Sequence, residues 1–170
     1  SRSPLREALR TLAAEELVTI VPHRGVVVTE RTDDELRELL FIRTMLEGAA
    51  ARRAVGCMTD ERLQQIEQIL VQGEESSEME EVLALNNQFH TLIYETYPQP
   101  ILVTTIQQLR NKIAPYNRLY LDAEGRKEAA WADHRRIYEA CCNRDAGDAE
   151  EQTKAHLQQV FQGIESVESR

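Results

Sequence analysis

Leu5, Ala8, Leu9, Leu12, Ala13 and Leu17 recur at intervals of three and four, which predicts an amphipathic helix with Pro4 in its first turn. Two β-branched runs follow, Val18-Thr19-Ile20-Val21 and Val26-Val27-Val28-Thr29, separated by Pro22-His23-Arg24-Gly25, and this predicts a β-hairpin. Beyond residue 31 the helical period continues almost to the end. Thr32-Asp33-Asp34-Glu35 has the form of a capping box and opens a helix reaching Val55. Thr59, followed by Asp60 and Glu61, opens a second helix through Val71, with residues 73–77 as a loop. Further helices are expected over about residues 78–96, 101–121 (with Pro115 as a kink), 127–143 and, from a second box-like start at Asp148-Ala149-Glu150-Glu151, about 148–167. Six helices with short connections predict an antiparallel all-α bundle, preceded by one helix and a two-stranded ribbon. A ribbon and a single helix cannot bury a core alone, so this head must lean on other structure.

Composition fits a helical domain: of 170 residues, 42% are hydrophobic, and there are seven glycines and five prolines. No apolar run approaches the roughly 20 residues of a membrane span, and no signal-peptide pattern opens the chain, so a soluble cytoplasmic protein is expected. Cys57, Cys141 and Cys142 are an odd number with two adjacent, which suits a reducing compartment and a packing role within helices. The formal charge of −9 speaks against a protein that coats nucleic acid. Its distribution qualifies that: residues 1–29 hold four arginines against three glutamates, a net +1 that leaves −10 for the remainder. The first residue is Ser1 and the chain starts inside a helical pattern, so an upstream part is expected to be missing.

Three of the four histidines fall in the apolar stripes of three different helices. The stripes are Val82, Asn86, Phe89, His90, Ile93; Ala130, His134, Ile137, Cys141; and Thr153, His156, Leu157, Val160, Ile164. One inward histidine is ordinarily a satisfied core residue. Three buried imidazoles need partners, and one divalent ion on their neutral nitrogens would serve all of them. Asn86 precedes His90 by four residues, shares its helix face and could add an oxygen. Arg43, on the inward side with Leu36 and Leu40, has an internal ion pair with Glu47 as its ordinary role and effector binding as the alternative.

In the head, Arg2, Arg6 and Arg10 are spaced by four and align along one side of the helix. A merely solvated face would look the same. With Ser1 and Ser3 at the helix start, however, they also suit entry into a major groove, and His23-Arg24-Gly25 at the hairpin tip suits a wing.

The run Ser1-Arg2-Ser3-Pro4-Leu5-Arg6-Glu7-Ala8-Leu9-Arg10-Thr11-Leu12, with Glu15-Glu16-Leu17-Val18 and Pro22-His23-Arg24-Gly25-Val26-Val27-Val28, closely resembles the recognition helix and wing of GntR-family bacterial transcription regulators. The body resembles the FCD ligand-binding domain of the FadR-like subfamily, through Leu39 to Arg43, Leu46-Glu47, Asn86-Asn87-Gln88-Phe89-His90, Asp133-His134-Arg135-Arg136-Ile137 and Ala155-His156-Leu157. The resemblance implies that residues 1–30 are the C-terminal part of a winged helix-turn-helix and residues 31–170 a helical ligand-binding and dimerisation domain. It implies DNA contacts from Ser1, Arg2, Ser3, Arg6, His23, Arg24 and Gly25, an inverted-repeat operator and a homodimer joined through the first and fourth bundle helices. It also implies a divalent metal on His90, His134 and His156, zinc first with nickel or manganese as alternatives, and a small carboxylate effector beside it. The family pattern has an aspartate where this chain has Asn86, a weaker, uncharged ligand.

The expectation is therefore a ligand-responsive transcription regulator and not an enzyme. Two other readings are a metal-dependent hydrolase and a metal-free helical interaction domain. Against the hydrolase, there is no HExxH, and Asp133, next to His134, is expected to point off its face.

Overall fold

The computed structural model describes the backbone of residues 2–22 and 25–168, and side chains between Pro4 and Ile164. Ser1, His23 and Arg24 lie outside the described residues, as do the side chains of Arg2 and Ser3. Helix α1 (Arg2–Ala14) leads into a hairpin of β1 (Val18–Val21) and β2 (Gly25–Val28), paired antiparallel with Val18 opposite Val28 and Val21 opposite Gly25. Gly25 has φ of +94°, a conformation that side chains resist, which explains a glycine at the edge of the turn. Six helices follow: α2 (Asp33–Val55), α3 (Asp60–Glu75), α4 (Met79–Tyr94), α5 (Pro100–Asp122), α6 (Arg126–Cys142) and α7 (Ala146–Glu168).

The starts of the first two bundle helices are set as their sequences dictate. The Thr32 N–H donates to Glu35 Oε2 at 2.8 Å while Thr32 Oγ1 accepts from the Glu35 N–H at 3.3 Å, closing the capping box. Thr59 Oγ1 accepts from the Arg62 N–H at 3.2 Å.

Three sequence expectations are corrected. Gly73 does not open a loop but sits inside α3, where a Cβ would lie 2.1 Å from the Trp131 ring; the glycine makes room for the indole. Helix α7 starts before Asp148, because Asp145 Oδ1 accepts from the N–H groups of Gly147 and Asp148, both at 3.0 Å, and is the capping group. Of the cysteines only Cys141 is a packing residue; Cys57, just past the C-terminal end of α2, and Cys142, the last residue of α6, are exposed.

The apolar core is divided. One cluster gathers Ala50, Ala54, Ile66, Leu70, Phe89, Ile93, Ile106, Trp131 and Ile137, the other Leu36, Leu40, Ile113, Tyr116, Tyr120, Ala130, Val160 and Ile164. On α2, α5 and α7 the chain passes from one cluster to the other through buried polar residues, Arg43 and Glu47, Arg110, and His156, and buried His134 of α6 joins them. A polar layer thus crosses the bundle between two greasy ones, and this layer is the candidate site.

The head meets the bundle through α5. The Arg31 N–H donates to Tyr116 Oη at 2.7 Å, the Arg31 guanidinium donates to the Glu16 carbonyl at 2.9 Å, and Lys112 Nζ reaches the Glu16 carboxylate at 2.6 Å. Leu5, Ile20 and Val28 of the head are exposed, at 63%, 52% and 64%, so this unit leaves apolar surface uncovered among the described residues.

Candidate metal centre

His90, His134 and His156 come together from α4, α6 and α7, all buried, each offering a ring nitrogen within 4.8 Å of the others. Their surroundings settle which nitrogen faces inward. Tyr94, one turn beyond His90, donates its O–H to Glu47 Oε2 at 2.8 Å, so its oxygen is left to accept from His90 Nδ1 at 3.1 Å. His90 Nε2 therefore presents a lone pair. Likewise His156 Nδ1 donates to Asp133 Oδ2 at 3.2 Å, freeing His156 Nε2. His134 Nε2 lies 3.1 Å from His90 Nε2, while His134 Nδ1 is buried with no partner.

The donor set fits a divalent ion. Two of three imidazoles are held in the ligating tautomer by carboxylate-linked hydrogen bonds, the arrangement that orients metal-binding histidines. The 3.1 Å approach of two Nε2 atoms needs a shared proton or a shared cation. The third ring is fixed by packing: Phe89 stacks on His134 at 4.5 Å and Trp131 meets it edge-on at 4.7 Å.

Burial, followed by the positive charge of Arg110, holds His90 well below the ordinary histidine range; burial, then neighbouring His156, does the same to His134. Both rings are neutral near neutral pH, as ligands must be. Because the folded form resists a proton that the unfolded chain accepts near pH 6.5, the stabilisation is complete above that pH and lost as pH falls below it. The urea midpoint of metal-free protein should drop between about pH 7 and pH 5, a window set by the unfolded histidine pKa. A flat profile there would contradict the neutral-ring assignment.

Beside the histidines lies the second half of the layer. Glu47, at 0% exposure, accepts from Arg43 Nε at 2.5 Å, Arg110 Nη1 at 3.2 Å and Tyr94 Oη at 2.8 Å. Burial works to raise its carboxyl pKa, and the charges of Arg43 and Arg110 together outweigh that and lower it. Arg110 Nη2 donates to Asn87 Oδ1 at 2.8 Å. Two guanidiniums share one carboxylate, and Arg43 Nη1 and Arg110 Nε stay buried without hydrogen-bond partners among the described residues. A cavity of about 20 Å³ adjoins them, lined on its polar side by Arg43, Asn86, His90, Arg110, Asn117 and His156, and on its apolar side by Leu121, Leu157 and Val160.

The Arg43–Glu47 pair that the sequence indicates is present, the three histidine nitrogens converge, and Asn86 lines the same cavity as His90 and His156. Arg6 is exposed on α1. Asp133 is not part of the convergent group: it is buried, with one carboxylate oxygen on His156 Nδ1 and the other on Arg136. The sequence reading missed Arg110, Tyr94 and the role of Asp133. Arg110 had a signal, a charged residue within the Ile106, Arg110, Ile113 stripe.

Residues 38–159 match the FCD domain family. Over 170 residues the chain is 29% identical to the HTH-type transcriptional repressor RspR of Escherichia coli K12, covering 98% of this chain and 75% of that protein. It is 31% identical over 118 residues to the regulator McbR of the same organism, covering 68% of this chain and 53% of McbR. The solved structure of E. coli McbR/YncC superposes with a TM-score of 0.87 at 25% identity, covering 98% of this chain and 81% of that one. The metal-free FCD domain of TM0439 shares the fold, with a TM-score of 0.70 at 17% identity over 84% of this chain and all of that one. The chain belongs to the FCD-domain transcriptional regulators of GntR type. With relatives that are regulators of transcription, the hydrolase reading is set aside. No described helix is long and apolar enough to cross a membrane.

Proposed function

We propose that the protein is a cytoplasmic, ligand-responsive regulator whose operator affinity is set by a small carboxylate bound next to a divalent metal, zinc in the first instance. The observation that carries this reading is the joining of three inward imidazole nitrogens to two under-neutralised guanidiniums in one buried layer. His90, His134 and His156 would hold the metal, with Asn86 or the effector completing its ligands, and Arg43 would hold the effector carboxylate. The bound metal would supply a Lewis-acidic anchor for an anionic oxygen.

Residues 1–30 act as the DNA-binding unit and residues 31–170 as the sensing and dimerisation unit. Ser1, Arg2, Ser3 and Arg6, together with His23, Arg24 and Gly25, contact the operator. A homodimer would match an inverted repeat. Phe41 and Met45 on α2 are exposed, at 68% and 52%, and Ile101 on α5, at 83%, lines a groove of about 640 Å³ with Leu46, Pro98 and Leu102; a second copy is the occupant of this groove. Signal passes along α5, which carries Arg110 in the site and Lys112 and Tyr116 against the head.

The test is operator binding by the native protein with and without Arg6→Ala. The variant should weaken binding by about 1–3 kcal/mol and make the salt dependence shallower by roughly one ion. Unchanged affinity and salt slope would remove α1 from the interface.

A further inference from the structure

The metal-facing side of this site holds no negative charge. Among the described residues lining the cavity there is no carboxylate: the polar groups are two amides, two imidazoles, two guanidiniums and the Tyr120 hydroxyl. The two nearby carboxylates are already committed, Glu47 to Arg43, Arg110 and Tyr94, and Asp133 to His156 and Arg136. A divalent ion held by three neutral rings and the Asn86 amide would keep both positive charges in a buried layer beside two guanidiniums that share one carboxylate. Charge left uncompensated in such surroundings is strongly disfavoured.

We propose that metal and carboxylate bind here as an obligate pair, the anion supplying the charged ligand that Asn86 does not. Its oxygens would meet the metal on one side and the unpartnered Arg43 Nη1 and Arg110 Nε on the other. The cavity of about 20 Å³ has room for about one water-sized group, so an incoming carboxylate must displace Leu121, Leu157 or Val160. Each ligand then raises the affinity of the other by the same factor, typically about 5–150-fold for coupled sites. The proposal rests on the three-histidine reading and adds to it that neither ligand is sensed alone.

The experiment is calorimetric titration of the native protein with Zn²⁺ in chloride buffer, alone and with acetate, lactate or malonate, corrected for zinc bound by the acid itself. Asn86→Asp is titrated in parallel, its fold checked by circular dichroism. Wild-type zinc affinity should rise at least about fivefold with one or more of the acids. Asn86→Asp should bind zinc more tightly than wild type in chloride alone and gain less from the acids. Tight zinc binding by wild type in chloride, unimproved by any acid or by Asn86→Asp, overturns the obligate pair and leaves the metal site intact. No zinc binding by either protein under any condition overturns the metal site itself.

Discussion

Replacing Glu47 with alanine should destabilise the protein by about 3–5 kcal/mol, the cost of removing one partner from a buried charge cluster. The change leaves Arg43 and Arg110, at 2% and 3% exposure, as buried cations with no counter-charge, and it takes the acceptor from Tyr94. Against a total stability of about 5–15 kcal/mol, that is a large fraction. Urea unfolding followed by circular dichroism measures it, and a loss below about 1 kcal/mol would mean that the guanidiniums reach water in the native state. Glu47→Gln, which preserves shape but not charge, should fall between the two proteins. Excess acetate should recover part of the loss in Glu47→Ala if an external carboxylate can enter this layer.

His134→Ala should remove the metal and mute the effector response while leaving operator binding intact. Loss of an outer-shell partner already costs about 10–100-fold in metal affinity, so loss of a ligand should exceed about 100-fold. The substitution also empties the slot between Phe89 and Trp131, and the melting temperature should fall for that reason alone. Metal content, effector affinity and operator affinity must therefore be measured separately, at a temperature where the variant is folded. Unchanged metal content together with an unchanged effector response would return all three histidines to the role of core residues.

Much of the architecture was legible because it rests on local rules. The Thr32-to-Glu35 box and Thr59 bond as their spacing dictates, and each helix buries the stripe that its three-and-four period marks. The histidines were legible for the same reason: each lies on an inward face, and three inward faces of one bundle meet. What failed needed knowledge of neighbours. Gly73 reads as a stop until Trp131 of another helix is seen to fill the place of its side chain. Asp133 reads as misdirected when only α6 is considered, and becomes the partner of His156 once α7 lies alongside. Arg110 meets Glu47 across 63 residues, a separation that no periodicity on either helix encodes.

The two jobs of α5 bear on how such a sensor could be retuned. Arg110, Asn117 and Leu121 border the cavity, whereas Lys112 and Tyr116, interleaved with them, hold the head. If the cavity senses an effector as proposed, input and output would occupy separate positions of one continuous helix. Changes at Asn117 or Leu121 could alter which molecule is detected while the output contacts persist, and changes at Lys112 could alter the gain while the ligand preference persists. A biosensor built on this scaffold would have two independent dials.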